Sequence, residues 1–152
     1  MLKKLLATSP DKTLAFMRIM FGLVFFPHGA QKALGWFGGY GFSATMQFFT
    51  TQAHIPAAFA FLAICAEFLG SLGLILGFLT RIAAFGITVN MAVAVLMIHS
   101  HIGFFMNWFG NQKGEGYEYH LLVFALSIPL MIRGGGAFSI DGMLASKVSP
   151  AA

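Results

Sequence analysis

The sequence is short of charge and of cysteine. Only 9% of its 152 residues are Asp, Glu, Lys or Arg, and only five of them are acidic, whereas soluble domains carry about 25% charged residues. Such a chain could not cover its own surface with groups that water solvates, which excludes a soluble globular domain. The single cysteine, Cys65, cannot form an internal disulfide.

Several motifs that carry chemistry are also missing. The sequence has no Cys-x-x-Cys pair, no glycine-rich phosphate loop that ends in Lys-Ser/Thr, and no credible Ser-His-Asp arrangement. No His-x-x-x-His or Glu-x-x-His spacing occurs on a predicted helix, so we expect no metal site. The net charge of +4 does not indicate nucleic acid as a partner, because the Lys and Arg residues mark the ends of apolar runs and form no patch.

Apolar residues make up 58% of the chain and include 18 Phe. A helix needs roughly 20 apolar residues to cross a bilayer, and the predicted spans are 13–34, 57–79, 82–105 and 117–132. Segment 42–52 follows a glycine-aromatic loop and is amphipathic, so we place it at the membrane interface as a short helix. The sequence therefore predicts an all-α fold, an integral membrane four-helix bundle that forms a single domain over residues 1–152.

The basic residues predict the orientation of this bundle. One side collects six of them, which are Lys3, Lys4, Lys12, Arg81, Arg133 and Lys147. The other side collects Lys32 and Lys113. Because Lys and Arg are enriched in cytoplasmic loops, both termini are predicted to lie in the cytoplasm.

Ionisable side chains within the spans are the candidates for a site. Each costs at least about 2.5 kcal/mol to insert, so they are expected to face the bundle interior and to pair. The candidates for ligand binding are Arg18, His28, Lys32, Glu67, His101, Glu118 and His120. Glu67 and Glu118 are also the candidates for a catalytic proton acceptor, since an apolar site favours proton uptake by a carboxylate.

Helical geometry limits which of these side chains can meet. Arg18 and Lys32 share one line of the first span, with His28 one turn before Lys32. Two interpretations of Glu67 stay open: a structural ion pair with Arg18, or a ligand-binding carboxylate. On the third span, His101 would share a face with Asn90 while His99 points about 160° away, so only one of the two histidines can line the interior. The same holds for Glu118 and His120.

Three segments resemble the DoxX family of small four-helix bacterial membrane proteins. They are RIMFGLVFFPHGAQKALGWFGGYG (18–41), AEFLGSLGLILGFLTRIAAFG (66–86) and GEGYEYHLLVFALSIPLMIRGGGAFSIDGML (114–144). The features that carry the resemblance are Arg18 with His28-Gly29-x-x-Lys32, Glu67 followed by glycines and Thr80-Arg81, and Glu118 with Ser139-Ile140-Asp141 after the last span. His120 departs from the pattern, which would have a small residue or proline there.

The resemblance implies a multi-pass protein of the bacterial cytoplasmic (inner) membrane, related to subunits of thiosulfate:quinone oxidoreductase. We therefore expect a redox component that binds quinone, or a similar lipophilic small molecule, between its helices, as a subunit of a quinone-linked oxidoreductase. Phe25, Phe26, Trp36 and Phe37 would form aromatic walls, and His28 and Lys32 would donate hydrogen bonds. The chain carries no evident cofactor of its own, so electrons would come from a partner or a soluble substrate.

Two other classes of function stay open. A non-catalytic scaffold would assemble or anchor a partner protein subunit in the bilayer and bind no small molecule. A small transporter is the other alternative, and because four helices are few for a transport path, it would act as a homo-oligomer.

Overall fold

The computed structural model describes residues 2–148. Its helices are α1 (Leu2–Leu6), α2 (Lys12–Leu34), α3 (Gly41–Gln47), α4 (Ala57–Leu76), α5 (Thr80–Met97), α6 (Glu118–Arg133) and α7 (Ile140–Val148), with a π-helical turn, Phe48–Gln52, directly after α3. Within the described range there are helices, turns and loops but no strand, so the predicted all-α class is confirmed.

Three segments are long and apolar enough to cross a membrane: Lys12–Leu34, Ala57–Leu76 and Thr80–His101. α2 packs against α4, α4 against α5, and α5 against α6, which returns to contact α2. Phe21, Leu74, Ile87 and Leu130 are fully or almost fully buried where these four helices meet. Large apolar side chains cover the outward faces of the same helices, as lipid contact requires.

The predicted end of the third span at residue 105 is wrong. α5 ends at Met97, and His99–His101 form a single 3₁₀ turn. His99 Nδ1 hydrogen-bonds the carbonyl oxygen of Glu115 at 2.7 Å, which draws the chain away from the helix axis. Residues 102–117, which we call the aromatic loop, then connect α5 to α6.

Two glycines of α2 set its register against α4. A Cβ on Gly22 would lie 2.8 Å from Ile75 Cγ1 and from the Ser71 carbonyl oxygen, and one on Gly29 would lie 2.5 Å from Phe68 Cα. Moving seven residues along α2 therefore corresponds to moving seven residues back along α4. This antiparallel register places Glu67 opposite the last two turns of α2.

Most of the basic residues lie where α2 begins and α4 ends, and we call this the basic end. Asp141 of α7 is buried there, and its two carboxylate oxygens accept hydrogen bonds from the backbone N–H groups of Leu79 (2.7 Å) and Thr80 (2.9 Å). These are free N–H groups at the start of α5, so α7 caps α5.

Replacing Asp141 with Ala should lower the free energy of unfolding by about 1–2 kcal/mol, because both capping hydrogen bonds are lost. Denaturant titration in detergent micelles measures this change. Asp141→Asn, which retains one acceptor oxygen, serves as the control and should lose less. Equal stability of Asp141→Ala and the unchanged protein would contradict the capping role.

Candidate functional site

Glu67, near the middle of α4, is the centre of a buried polar cluster. Its side chain is 4% exposed. Oε2 lies 2.5 Å from Lys32 Nζ of α2, and Oε1 accepts a hydrogen bond from Asn90 Nδ2 of α5 at 2.7 Å. Three helices therefore meet at one carboxylate, and each of its oxygens has a donor from a different helix.

Lys32 reaches this cluster from the last turn of α2. Its side chain is 29% exposed, so the ammonium is open on one side while it pairs with Glu67 on the other. His28, one turn earlier on the same face, is exposed. The cluster is thus reached from the outside of the bundle, along the Lys32 face of α2.

Two further polar atoms lie on the first turn of α6. Tyr119 Oη and His120 Nδ1 are buried and have no hydrogen-bond partner among the described residues. The ring of Tyr119 stacks on that of Phe25 at 6.4 Å between centroids. The ring of His120 lies 4.3 Å from that of His99. Unpartnered buried polar groups are costly, so these two atoms call for an explanation.

Arg18 does not pair with Glu67, so the structural ion pair allowed by the sequence is not formed. Arg18 is fully buried at the basic end, and its guanidinium donates to five backbone carbonyl oxygens, those of Leu74, Ile75, Gly135, Ala137 and Phe138. The helix register explains the difference, because it brings the level of Arg18 to the end of α4, well beyond Glu67.

The remaining predicted residues lie apart from the cluster. Glu118 Oε1 accepts hydrogen bonds from the Met106 N–H (2.9 Å) and from Trp108 Nε1 (3.4 Å). His101 is exposed on the turn after α5 and no longer shares a helical face with Asn90, because α5 has already ended. A catalytic role of Glu118 and a binding role of His101 stay predictions.

Two surface grooves lie away from Glu67, one of about 460 Å³ along the aromatic loop and one of about 520 Å³ at the basic end. Phe25 is buried in the core, so it cannot form an open wall of a ligand slot, whereas Trp36 and Phe37 are exposed. A ligand could approach this cluster along the exposed side of Lys32.

Sequence reasoning left Asn90, Tyr119 and His99 out of the candidate site. Asn90 carried a usable signal, because an amide within an apolar span needs a partner. Tyr119 carried none, since a tyrosine at a span end usually marks the headgroup level. The sequence favours His101 over His99 only if the third span continues as a helix to residue 105, and α5 ends at Met97.

The chemistry of the cluster is that of hydrogen bonding and proton exchange. Lys32, Asn90 and Tyr119 can donate to an oxygen atom, and Glu67 can accept a proton. Over residues 2–148, no three His, Cys, Asp or Glu side chains come together as a metal site would need. The arrangement therefore suits an uncharged ligand with carbonyl or hydroxyl oxygens.

A family model described as DoxX matches residues 13–100, which is more than half of the chain. The matched range contains Lys32, Glu67 and Asn90, and it ends before α6, so Tyr119 and His120 lie outside it. No curated protein and no solved structure matches the chain.

Proposed function

This chain belongs to the DoxX family, and from that premise we propose that it binds quinone, or a similar lipophilic molecule with carbonyl oxygens, beside Lys32 and Glu67. In this proposal α2, α4, α5 and α6 form a four-helix bundle across the bacterial cytoplasmic membrane, with both termini in the cytoplasm. The concentration of Lys and Arg at the basic end supports that orientation.

The observation that carries the proposal is the half-open Lys32–Glu67 pair. An ammonium group has three N–H donors, and Glu67 accepts from one of them. The exposed side of Lys32 leaves donors for a ligand oxygen. A hydrogen bond from an ammonium group is charge-assisted and therefore stronger than one between neutral groups.

Tyr119 and His120 supply a second argument. Their buried oxygen and nitrogen have no partner within the described part of the chain, and leaving such a group unpaired costs about 1–3 kcal/mol. A bound molecule with a second oxygen would satisfy one of them. A quinone carries two carbonyl oxygens on opposite sides of one ring, which fits two groups of donors on different helices.

A redox role follows from the ligand class. Reducing a quinone to a quinol takes two electrons and two protons. Glu67, Lys32 and Tyr119 can exchange protons with the ligand oxygens. The electrons would come from a partner subunit or a soluble reductant, so the chain acts as the quinone-binding component of a larger redox system.

Replacing Lys32 with Met should weaken the binding of a short-chain quinone, decylubiquinone, at least tenfold, or about 1.4 kcal/mol. The donor for the carbonyl oxygen is lost while the length of the side chain is kept. Glu67→Gln should also weaken binding, because Lys32 then loses the carboxylate that orients it. Titration of the purified protein in lipid nanodiscs measures both affinities.

Lys113→Met is the matched control, since Lys113 is exposed at the same end of the molecule and makes no contact with Glu67. Its affinity for decylubiquinone should equal that of the unchanged protein. Thermal unfolding of each variant separates lost binding from lost structure. Unchanged affinity in both Lys32→Met and Glu67→Gln would remove the quinone assignment.

A membrane scaffold for a partner protein is the second candidate, and the saturation of Glu67 favours it. Both carboxylate oxygens already have donors, so the cluster could serve only to join α2, α4 and α5. In that case Lys32→Met and Glu67→Gln would lower the free energy of unfolding. The unchanged protein would bind no quinone. A co-purifying protein would then be the ligand of interest.

A further inference from the structure

The aromatic loop exposes a row of large apolar side chains. Trp108 is 80% exposed and Phe109 90%, and Phe104 and Phe105 are also exposed. We propose that residues 104–109 lie in the boundary layer between lipid headgroups and acyl chains, so that the bilayer itself is the partner that covers this surface. This inference is independent of the quinone proposal.

The length of α6 supports this depth. Its 16 residues span about 24 Å, whereas the hydrocarbon core is about 30 Å thick. Arg133 ends α6 at the basic end, where charged side chains mark the other membrane boundary. If Arg133 lies at that boundary, Glu118 starts α6 about 6 Å inside the hydrocarbon region, and the aromatic loop has to complete the crossing.

Backbone hydrogen bonds join the two ends of the aromatic loop, which reduces the number of polar groups that non-helical chain would leave unpaired at this depth. The N–H groups of Gly116, Tyr117 and Glu118 donate to the carbonyl oxygens of Phe105, Gly103 and Phe104 at 2.9–3.1 Å. Gly116 permits this contact, because a Cβ there would lie 2.4–2.6 Å from those three oxygens. The two halves of the loop are thereby fastened together.

Acidic side chains satisfy N–H groups that this backbone pairing leaves over. Glu118 accepts from the Met106 N–H at 2.9 Å, and Glu115 Oε2 accepts from the Asn107 N–H at 2.6 Å. These bonds leave fewer backbone N–H groups of residues 104–109 without an acceptor. Through its hydrogen bond to the Met106 N–H, Glu118 helps to fix the conformation of residues 104–109.

The aromatic loop has an apolar part followed by a polar part. Residues 104–109 are mostly aromatic, and 111–115 contain Asn111, Gln112 and Lys113, all exposed. The apolar half continues the lipid-facing surface of the adjoining helices, where Leu96 and Leu122 are exposed. This arrangement is the one expected if the apolar part contacts acyl chains and the polar part contacts headgroups and water.

The test uses Trp108 as a depth reporter in vesicles of phosphatidylcholine with bromine at acyl carbons 6 and 7. The chain has two tryptophans, so Trp36→Phe isolates Trp108, and the difference between unchanged protein and Trp108→Phe gives the same signal if Trp36→Phe fails to fold. We expect bromolipid to quench at least half of the Trp108 emission, and aqueous iodide to quench it at least fivefold less than free tryptophan.

Three outcomes would overturn the proposal. Quenching of Trp108 by iodide as strong as that of free tryptophan would place the loop in water. Protection from both bromolipid and iodide would mean that a second copy or another part of the protein covers it. Bromine at carbons 11 and 12 quenching more than bromine at carbons 6 and 7 would place Trp108 deep among the acyl chains.

Discussion

Replacing Gly29 with alanine is expected to force α2 away from α4 and to disrupt the candidate site. A Cβ at this position would lie 2.5 Å from Phe68 Cα, 2.6 Å from Phe68 N and 2.7 Å from the Glu67 carbonyl carbon. These are backbone atoms of a helix, so no rotamer change relieves the overlap. The helices must separate, and we expect a loss of about 3 kcal/mol in the free energy of unfolding.

The site should respond to this separation more than the rest of the molecule does. Lys32 follows Gly29 by less than one turn, so a displaced α2 carries Nζ away from Glu67 Oε2. Affinity for decylubiquinone in nanodiscs should fall with the stability, whereas α5–α6 packing, which does not involve α2, should be retained. Denaturant titration and ligand titration on the same samples measure the two effects.

Gly70→Ala is the matched control for Gly29→Ala. Gly70 is also buried on α4, but the nearest atom to its added Cβ is Ile87 Cγ1 at 3.4 Å, an ordinary contact with a side chain. We expect the free energy of unfolding to change by less than about 1 kcal/mol, because the added methyl group makes ordinary contacts and alanine has a higher helix propensity than glycine. A Gly29→Ala variant as stable as Gly70→Ala would show that the close approach of α2 and α4 is not required.

Replacing Arg18 with methionine is the second change with a large expected effect. Five backbone carbonyl oxygens lose their donor, and they belong to the end of α4 and to the segment between α6 and α7. Orphaned buried acceptors and the lost charge at the α4 C-terminus both destabilise the fold. We expect a loss of about 3–5 kcal/mol, comparable to breaking a buried charged contact.

Arg18→Lys and Arg133→Met make the interpretation specific. Lysine keeps the charge but lacks the planar fork that reaches several carbonyl oxygens, so it should restore less than half of the loss. Arg133 is exposed at the end of α6, and its replacement should change stability by about 0.5 kcal/mol or less. Arg18→Met with the stability of Arg133→Met would contradict the anchoring role of Arg18.

Much of the helical architecture could be predicted from local patterns. The sequence predicts the first span at 13–34, and α2 runs from Lys12 to Leu34. The two agree because both ends have local signals: Asp11 caps the start of the helix, and Gly35, at φ 75°, ends it. The predicted end of the third span is wrong, because the helix ends before His99, which hydrogen-bonds the Glu115 carbonyl oxygen 16 residues away. Apolar periodicity cannot report a contact of that kind.

For the ionisable side chains, the sequence predicts burial better than pairing. The cost of burying charge pointed correctly to Lys32 and Glu67 as buried or half-buried side chains. The ion pair of Arg18 with Glu67, one of the two interpretations that the sequence leaves open, is not formed. A helical wheel gives the direction of a side chain but not its level against another helix. That level depends on Gly22 and Gly29, where the backbone of α4 fits against α2.

By itself, the sequence determined that this protein is helical and suited to a membrane, since its scarcity of charge and long apolar runs leave few other solutions. It also determined which side chains needed partners, because an ionisable group in an apolar span is too costly to leave alone. Only the tertiary structure decided that Glu67 pairs with Lys32 and Asn90 while Arg18 holds backbone carbonyl oxygens. The physical reason is that pairing depends on the register and spacing of packed helices, which close contacts between distant residues set.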